Sequence, residues 1–148
     1  MLSRPTTDQL LRGIADDLRT LIAPELQSEQ AKVALAMITQ LLAGCAVRAA
    51  HEIAWMSDES DIIERAVADI DDRATRTALT DYRATPKSLE LAGAAVRYGR
   101  ASRALSAGIE YAYRTRNEAL AAELRSVLKA RSAHEMAIMG QLDLVGRG

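Results

Sequence analysis

Apolar residues recur along this chain at three- and four-residue spacing, and no run alternates as a half-buried strand would. Thr6-Thr7-Asp8-Gln9 reads as a helix start, with Gln three residues after Thr6. Leu10, Leu11, Ile14, Leu18, Leu21 and Ile22 follow at helical spacing, so a first helix is predicted from Thr7 to Ile22, ending at Ala23-Pro24. From Pro24 or Ser28 to Met56 the chain is almost wholly Ala, Val, Leu, Ile and Met, which predicts the central helix of a bundle. Its most apolar part, Val33 to Ala50, is interrupted by Thr39, Gln40, Gly44 and Arg48. That pattern reads as a helix buried on most sides by other helices rather than as a membrane span.

Ser57-Asp58-Glu59-Ser60 reads as a polar break. A third helix is predicted beyond it, with Ile62, Ile63, Ala66, Val67, Ile70 and Ala74 on one face and Asp61, Glu64, Arg65, Asp69, Asp72 and Arg73 on the other. Thr85-Pro86 predicts the next boundary, because Thr caps and Pro fits a first helical turn. Gly99 is read as the end of a short fourth helix, with Ser102 capping a fifth; one long bent helix is the other option. From Arg103 to Gly140 the helical period continues without Pro, and residues 141–148 read as a frayed tail. The expected fold is all-α, an up-and-down helical bundle of four or five helices in one domain spanning residues 1–148.

Composition sharpens this picture. The 148 residues are 49% apolar and 26% charged, and a chain of this size buries enough surface to fold without metal or disulfide. Five aromatic residues, no Phe and 28 Ala favour a core of closely approaching helices. The one cysteine, Cys45, lies in an apolar run and reads as a small core residue in a reducing, cytoplasmic setting. The N-terminal residues lack an apolar stretch behind their positive charge, so no secretory signal is expected.

The formal net charge of −1 conceals a split. Residues 1–72 hold six Lys or Arg against thirteen Asp or Glu, and residues 73–131 hold twelve against five. Opposed fields of this kind favour packing the two parts together or pairing two copies, and sixteen of the nineteen basic residues are Arg, the better carboxylate partner. A homodimer through apolar and oppositely charged faces is the expectation.

One constellation repeats. Residues 48–56 read Arg-Ala-Ala-His-Glu-Ile-Ala-Trp-Met and residues 131–139 read Arg-Ser-Ala-His-Glu-Met-Ala-Ile-Met, so both histidines of the chain sit in matching settings. Arg48, His51 and Glu52, like Arg131, His134 and Glu135, project from adjoining parts of one helical surface. Gln40, Gly44, Arg48 and Glu52 also form a polar ridge at fourfold spacing, which must be paired, wet or functional. Three readings stay open. Each Arg could pair with its own Glu in a purely structural role. His51, Glu52, His134 and Glu135 could hold a divalent metal, although the spacing matches neither di-iron bundles nor zinc proteases. Alternatively, Arg48 and Arg131 could clamp an anionic ligand with the histidines as donors. If the second and last helices are antiparallel, the two copies are expected at opposite ends of the bundle. Trp55 is the candidate anchor for a protein partner.

Arg97, Arg100 and Arg103, with Arg114 and Arg116 beyond, make a basic ridge, but without a recognition-helix pattern or paired aromatics nucleic acid is not expected as a partner. Tyr98, Tyr111 and Tyr113 are candidates for helix crossings or an interface. No Gly-rich phosphate loop, Gly-x-Ser-x-Gly elbow or Cys-x-x-Cys motif is present, so no cofactor and no catalytic residue is assigned.

Arg4-Pro5-Thr6, then Leu10-Leu11, then Pro24 ahead of a long Ala-rich helix, resembles a small all-helical bacterial family of unassigned function, over roughly the first third of the chain. Members of that family accompany aminoglycoside-phosphotransferase-like kinases and acyl-CoA dehydrogenases. The resemblance implies a cytoplasmic accessory protein, with a kinase-like enzyme as one partner class, and carries no catalytic residues.

Overall fold

The computed structural model describes residues 4–139, which form five α-helices and no strand. The frayed tail expected at 141–148 lies outside the described residues. The helices are α1 (Thr7–Asp17), α2 (Glu29–Val67), α3 (Arg73–Arg83), α4 (Leu91–Arg114) and α5 (Glu118–Met139), so the chain is all-α as its periodicity predicts. The described residues fall into two compact units, 4–52 with 134–139 and 53–133.

In the first unit, the Gln9 side chain accepts from the Thr6 N–H at 3.0 Å, as the start signal predicts. The Thr6 hydroxyl donates to Asp8, and this bond is the main cause holding the Asp8 carboxyl below its usual range. After α1 the chain passes through a π-helical turn (Leu18–Ile22) and a 3-10 turn (Ala23–Glu25) that contains Pro24, a loosening followed by a tightening. Among the described residues of this unit, two apolar ones are buried, Leu35 and Ala46.

The second unit has a conventional core. Ile63, Val67 and Ile70 meet Leu79 and Tyr82 of α3, Ala101, Ala104, Leu105 and Ala112 of α4, and Ala121, Leu124 and Val127 of α5. Alanine and glycine set the close approach: a Cβ at Gly108 would stand 3.0 Å from Ile70, 3.4 Å from Val67 and 3.5 Å from Leu124. Glu59 lies beside Arg131 while Val67 and Leu124 both pack at Gly108, so α2 and α5 run antiparallel here.

Three expected boundaries move. The break at Ser57–Ser60 does not form: the Ser60 hydroxyl donates back to the Met56 carbonyl at 2.7 Å and Glu59 is buried, so this polar cluster is one turn of α2. The helix ends instead at Val67, and Asp72 caps α3 by accepting from the Thr75 N–H (3.0 Å) and hydroxyl (3.1 Å). With Arg114 at 2.6 Å, these donors hold the Asp72 carboxyl below its usual range, the Thr75 N–H contributing most. Thr85 closes α3 rather than opening α4, its hydroxyl donating to the Asp81 carbonyl, and α4 starts only at Leu91. Gly99 does not end α4, which is continuous to Arg114. The real break, at Thr115 to Asn117, uses Arg116 at φ 55° and Asn117, whose side chain accepts from the Leu120 N–H at 3.1 Å. A left-handed arginine is strained where glycine is not, so Arg116→Gly is expected to stabilise the fold by about 0.5–1 kcal/mol in urea unfolding.

The charge split is used inside the second unit. Arg83 bridges Glu64 (2.6 Å), Arg114 bridges Asp72 (2.6 Å), Lys87 stands 3.8 Å from Asp61 and Arg131 3.9 Å from Glu59. The acidic end of α2 and the turn after it therefore meet the basic helices α3, α4 and α5 within the unit.

Candidate functional site

The polar ridge on the apolar half of α2 resolves residue by residue. Gln40 donates to the Met139 carbonyl at 2.7 Å, and Gly44 leaves room for α5, since a Cβ there would stand 2.9 Å from the Ile138 carbonyl oxygen. Arg48 reaches Glu52 at 3.7 Å along the same helix. Pairing and close packing thus explain all four positions.

The second copy of the motif is built differently. Arg131 pairs with Glu59 of α2 at 3.9 Å, where Glu135 was the expected partner, and its guanidinium lies 4.8 Å from the centre of the Tyr98 ring. The Tyr98 hydroxyl donates to the same Glu59 carboxylate at 2.6 Å. Glu59 is 6% exposed, so its charge is held by a tyrosine from α4 and an arginine from α5. Arg131→Ala removes the cationic partner of that buried carboxylate; a loss of about 1–2 kcal/mol is expected in urea unfolding, reduced from the fully buried case because Arg131 is partly exposed.

Sequence periodicity could not identify this cluster, because Glu59 sits in the segment that reads as a loop. The helix α2 continues eleven residues past Met56. Arg131 lies alongside α2 only one turn beyond it. His51 and Glu135 are exposed, and His134 and Trp55 are partly buried. Among the described residues, no group of three or more His, Cys, Asp or Glu side chains is gathered so as to hold a metal ion.

The basic ridge is largely committed. Arg97 donates to the Tyr82 carbonyl (3.2 Å) and the Thr85 carbonyl while its guanidinium covers the Tyr82 ring at 4.0 Å. Arg100 donates to the Asp81 carbonyl (3.2 Å) and the Thr85 hydroxyl (2.7 Å). Two α4 arginines thereby satisfy the carbonyl end of α3. Burial pushes the Tyr82 phenol up, against the opposing pull of Arg97. Beside them a cleft of about 30 Å³ is lined by Ile53, Met56, Ser57, Ser60, Lys87, Ser88, Ala94 and Arg97. That volume suits a bound water, not an organic substrate.

The most distinctive surface is apolar and was missed. The Val33 to Ala50 segment was expected to be buried on most sides; instead α2 has the length and composition to cross a membrane, and 11% of its most apolar stretch is buried. Met37 is 64% exposed and Leu41 68%. At about 100° per residue, Ala34, Met37, Ile38, Leu41 and Cys45 share one exposed stripe of this helix. Cys45, expected in the core, is exposed there. Among the described residues, ten of the large apolar side chains left exposed belong to the first unit, including Leu10, Ile14, Leu21 and Ile22 before α2 and Met136 and Met139 at the end of α5. The signal was present in the sequence: one helix carried more apolar surface than its neighbours could cover. No protein-family model, curated protein or solved structure matches this chain.

Proposed function

We propose that this chain is a non-catalytic helical interaction module, an accessory protein of the cytoplasm, that binds a protein partner through the apolar surface of its first unit. The observation that carries the reading is the contrast between the units: the second has a full core, whereas the first, among its described residues, exposes ten large apolar side chains and buries Leu35 and Ala46 alone of its apolar ones. Exposed apolar surface on this scale marks an interaction site. A single exposed thiol suits a reducing compartment. The arginines that could have held an anion are engaged by Glu52 and Glu59.

Native mass spectrometry of the chain purified without a metal-affinity tag tests this reading. Protein assemblies with no adduct mass support it. A stoichiometric metal or small-molecule adduct, lost in His51→Ala or His134→Ala, would sink it and assign the repeated Arg-x-Ala-His-Glu motifs to ligand binding.

A further inference from the structure

Resting on that reading, we infer that the occupant of the α2 stripe is a second copy of this chain, packed with its α2 antiparallel to the first. Ala34, Met37, Ile38, Leu41 and Cys45 stand at i, i+3, i+4, i+7 and i+11, the spacing of a helix seam that packs against another helix at a shallow angle. The three large side chains of that seam are well exposed, Met37 at 64%, Ile38 at 48% and Leu41 at 68%.

Charge selects both the occupant and the direction. Lys32 and Arg48 bracket fifteen uncharged residues, about 22 Å of helix, which falls short of the roughly 30 Å hydrocarbon core of a bilayer. The α1 segment carries Asp8, Asp16 and Asp17 against Arg12 and Arg19, an acidic polar face unlike the basic one of a membrane-surface helix. Each end of the stripe instead carries a neutral pair, Lys32 with Glu29 (2.7 Å) and Arg48 with Glu52 (3.7 Å). A parallel pairing would set Arg48 against Arg48 and Glu52 against Glu52. The antiparallel pairing that places Leu41 of one copy over Met37 of the other sets Arg48 near Gln30 and has no like charges opposed. It also separates the two Cys45 residues by about twelve positions along the helix, some 18 Å, beyond disulfide reach.

The test combines sedimentation with cross-linking of the full chain. The wild type is expected to sediment as a dimer at micromolar concentration, with Cys45 unable to join the two copies under mild oxidation. In a Cys45→Ser background, Met37→Cys mixed with Leu41→Cys is expected to form the mixed disulfide at least tenfold faster than either variant alone. A monomer at 100 µM, insertion into vesicles of neutral phospholipid, or faster joining of like cysteines each overturns the inference. A monomer free of adducts in native spectra leaves the interaction reading to a different protein partner, whereas a motif-dependent adduct removes that reading itself.

Discussion

Leu41→Glu is expected to leave a folded monomer. The side chain is 68% exposed within one chain, so the substitution removes little intramolecular packing. In the antiparallel pair the same position is central and occurs twice, and each glutamate would have to be desolvated beside Met37 without a partner. A weakening of self-association by about 100-fold or more follows, measured by sedimentation equilibrium against wild type. The fold is monitored by the unfolding transition of the second unit, whose core does not include Leu41. A glutamate variant that remains dimeric with unchanged affinity would remove α2 from the interface.

The largest expected effect on stability comes from Leu124→Ala. Leu124 is fully buried among α2, α4 and α5 and packs beside Gly108, where helix backbones already come close and cannot collapse much further. Removing the isobutyl group leaves both a transfer loss and a cavity, so a cost of about 3 kcal/mol is expected in urea unfolding. A cost below about 1 kcal/mol would mean that the second unit is not the stable body of the molecule. Comparing Leu124→Ala with Leu41→Glu separates stability from association, because each change lies in a different unit.

Helical class and most of the core were legible in the sequence because both follow from spacing. Ile63, Val67 and Ile70 were expected on one apolar face, and they enter the core from the end of α2 and the turn after it. Boundaries were less legible wherever a polar residue had two uses. Ser57 to Ser60 carried the composition of a break, yet Ser60 bonded to its own helix and Glu59 was taken up by Tyr98 and Arg131. Thr85 and Pro86 carried the composition of a helix start, yet Arg97 and Arg100 recruited Thr85 to close the preceding helix. These choices depend on residues 12 to 72 positions away, which local pattern cannot report.

The candidate site shows the same division. The repeated Arg-x-Ala-His-Glu motif was conspicuous in the sequence, but its two arginines found different partners, Glu52 in one case and Glu59 in the other. The apolar stripe was equally visible as Val33 to Ala50, and its meaning turned on what covers it. A sequence shows that a face is apolar; only the folded neighbours show that the face is left over.

Hydrogen exchange of the backbone amides, followed on dilution from 100 µM to below the dissociation constant, tests most directly whether a second copy completes the first unit. Amides in residues 29–52 are expected to lose protection as the chain is diluted, because a helix with so few buried side chains is marginal alone. Amides of the core between Ile63 and Ala112 are expected to keep theirs. Protection in residues 29–52 that is strong and independent of concentration would contradict self-association as the source of that unit's stability.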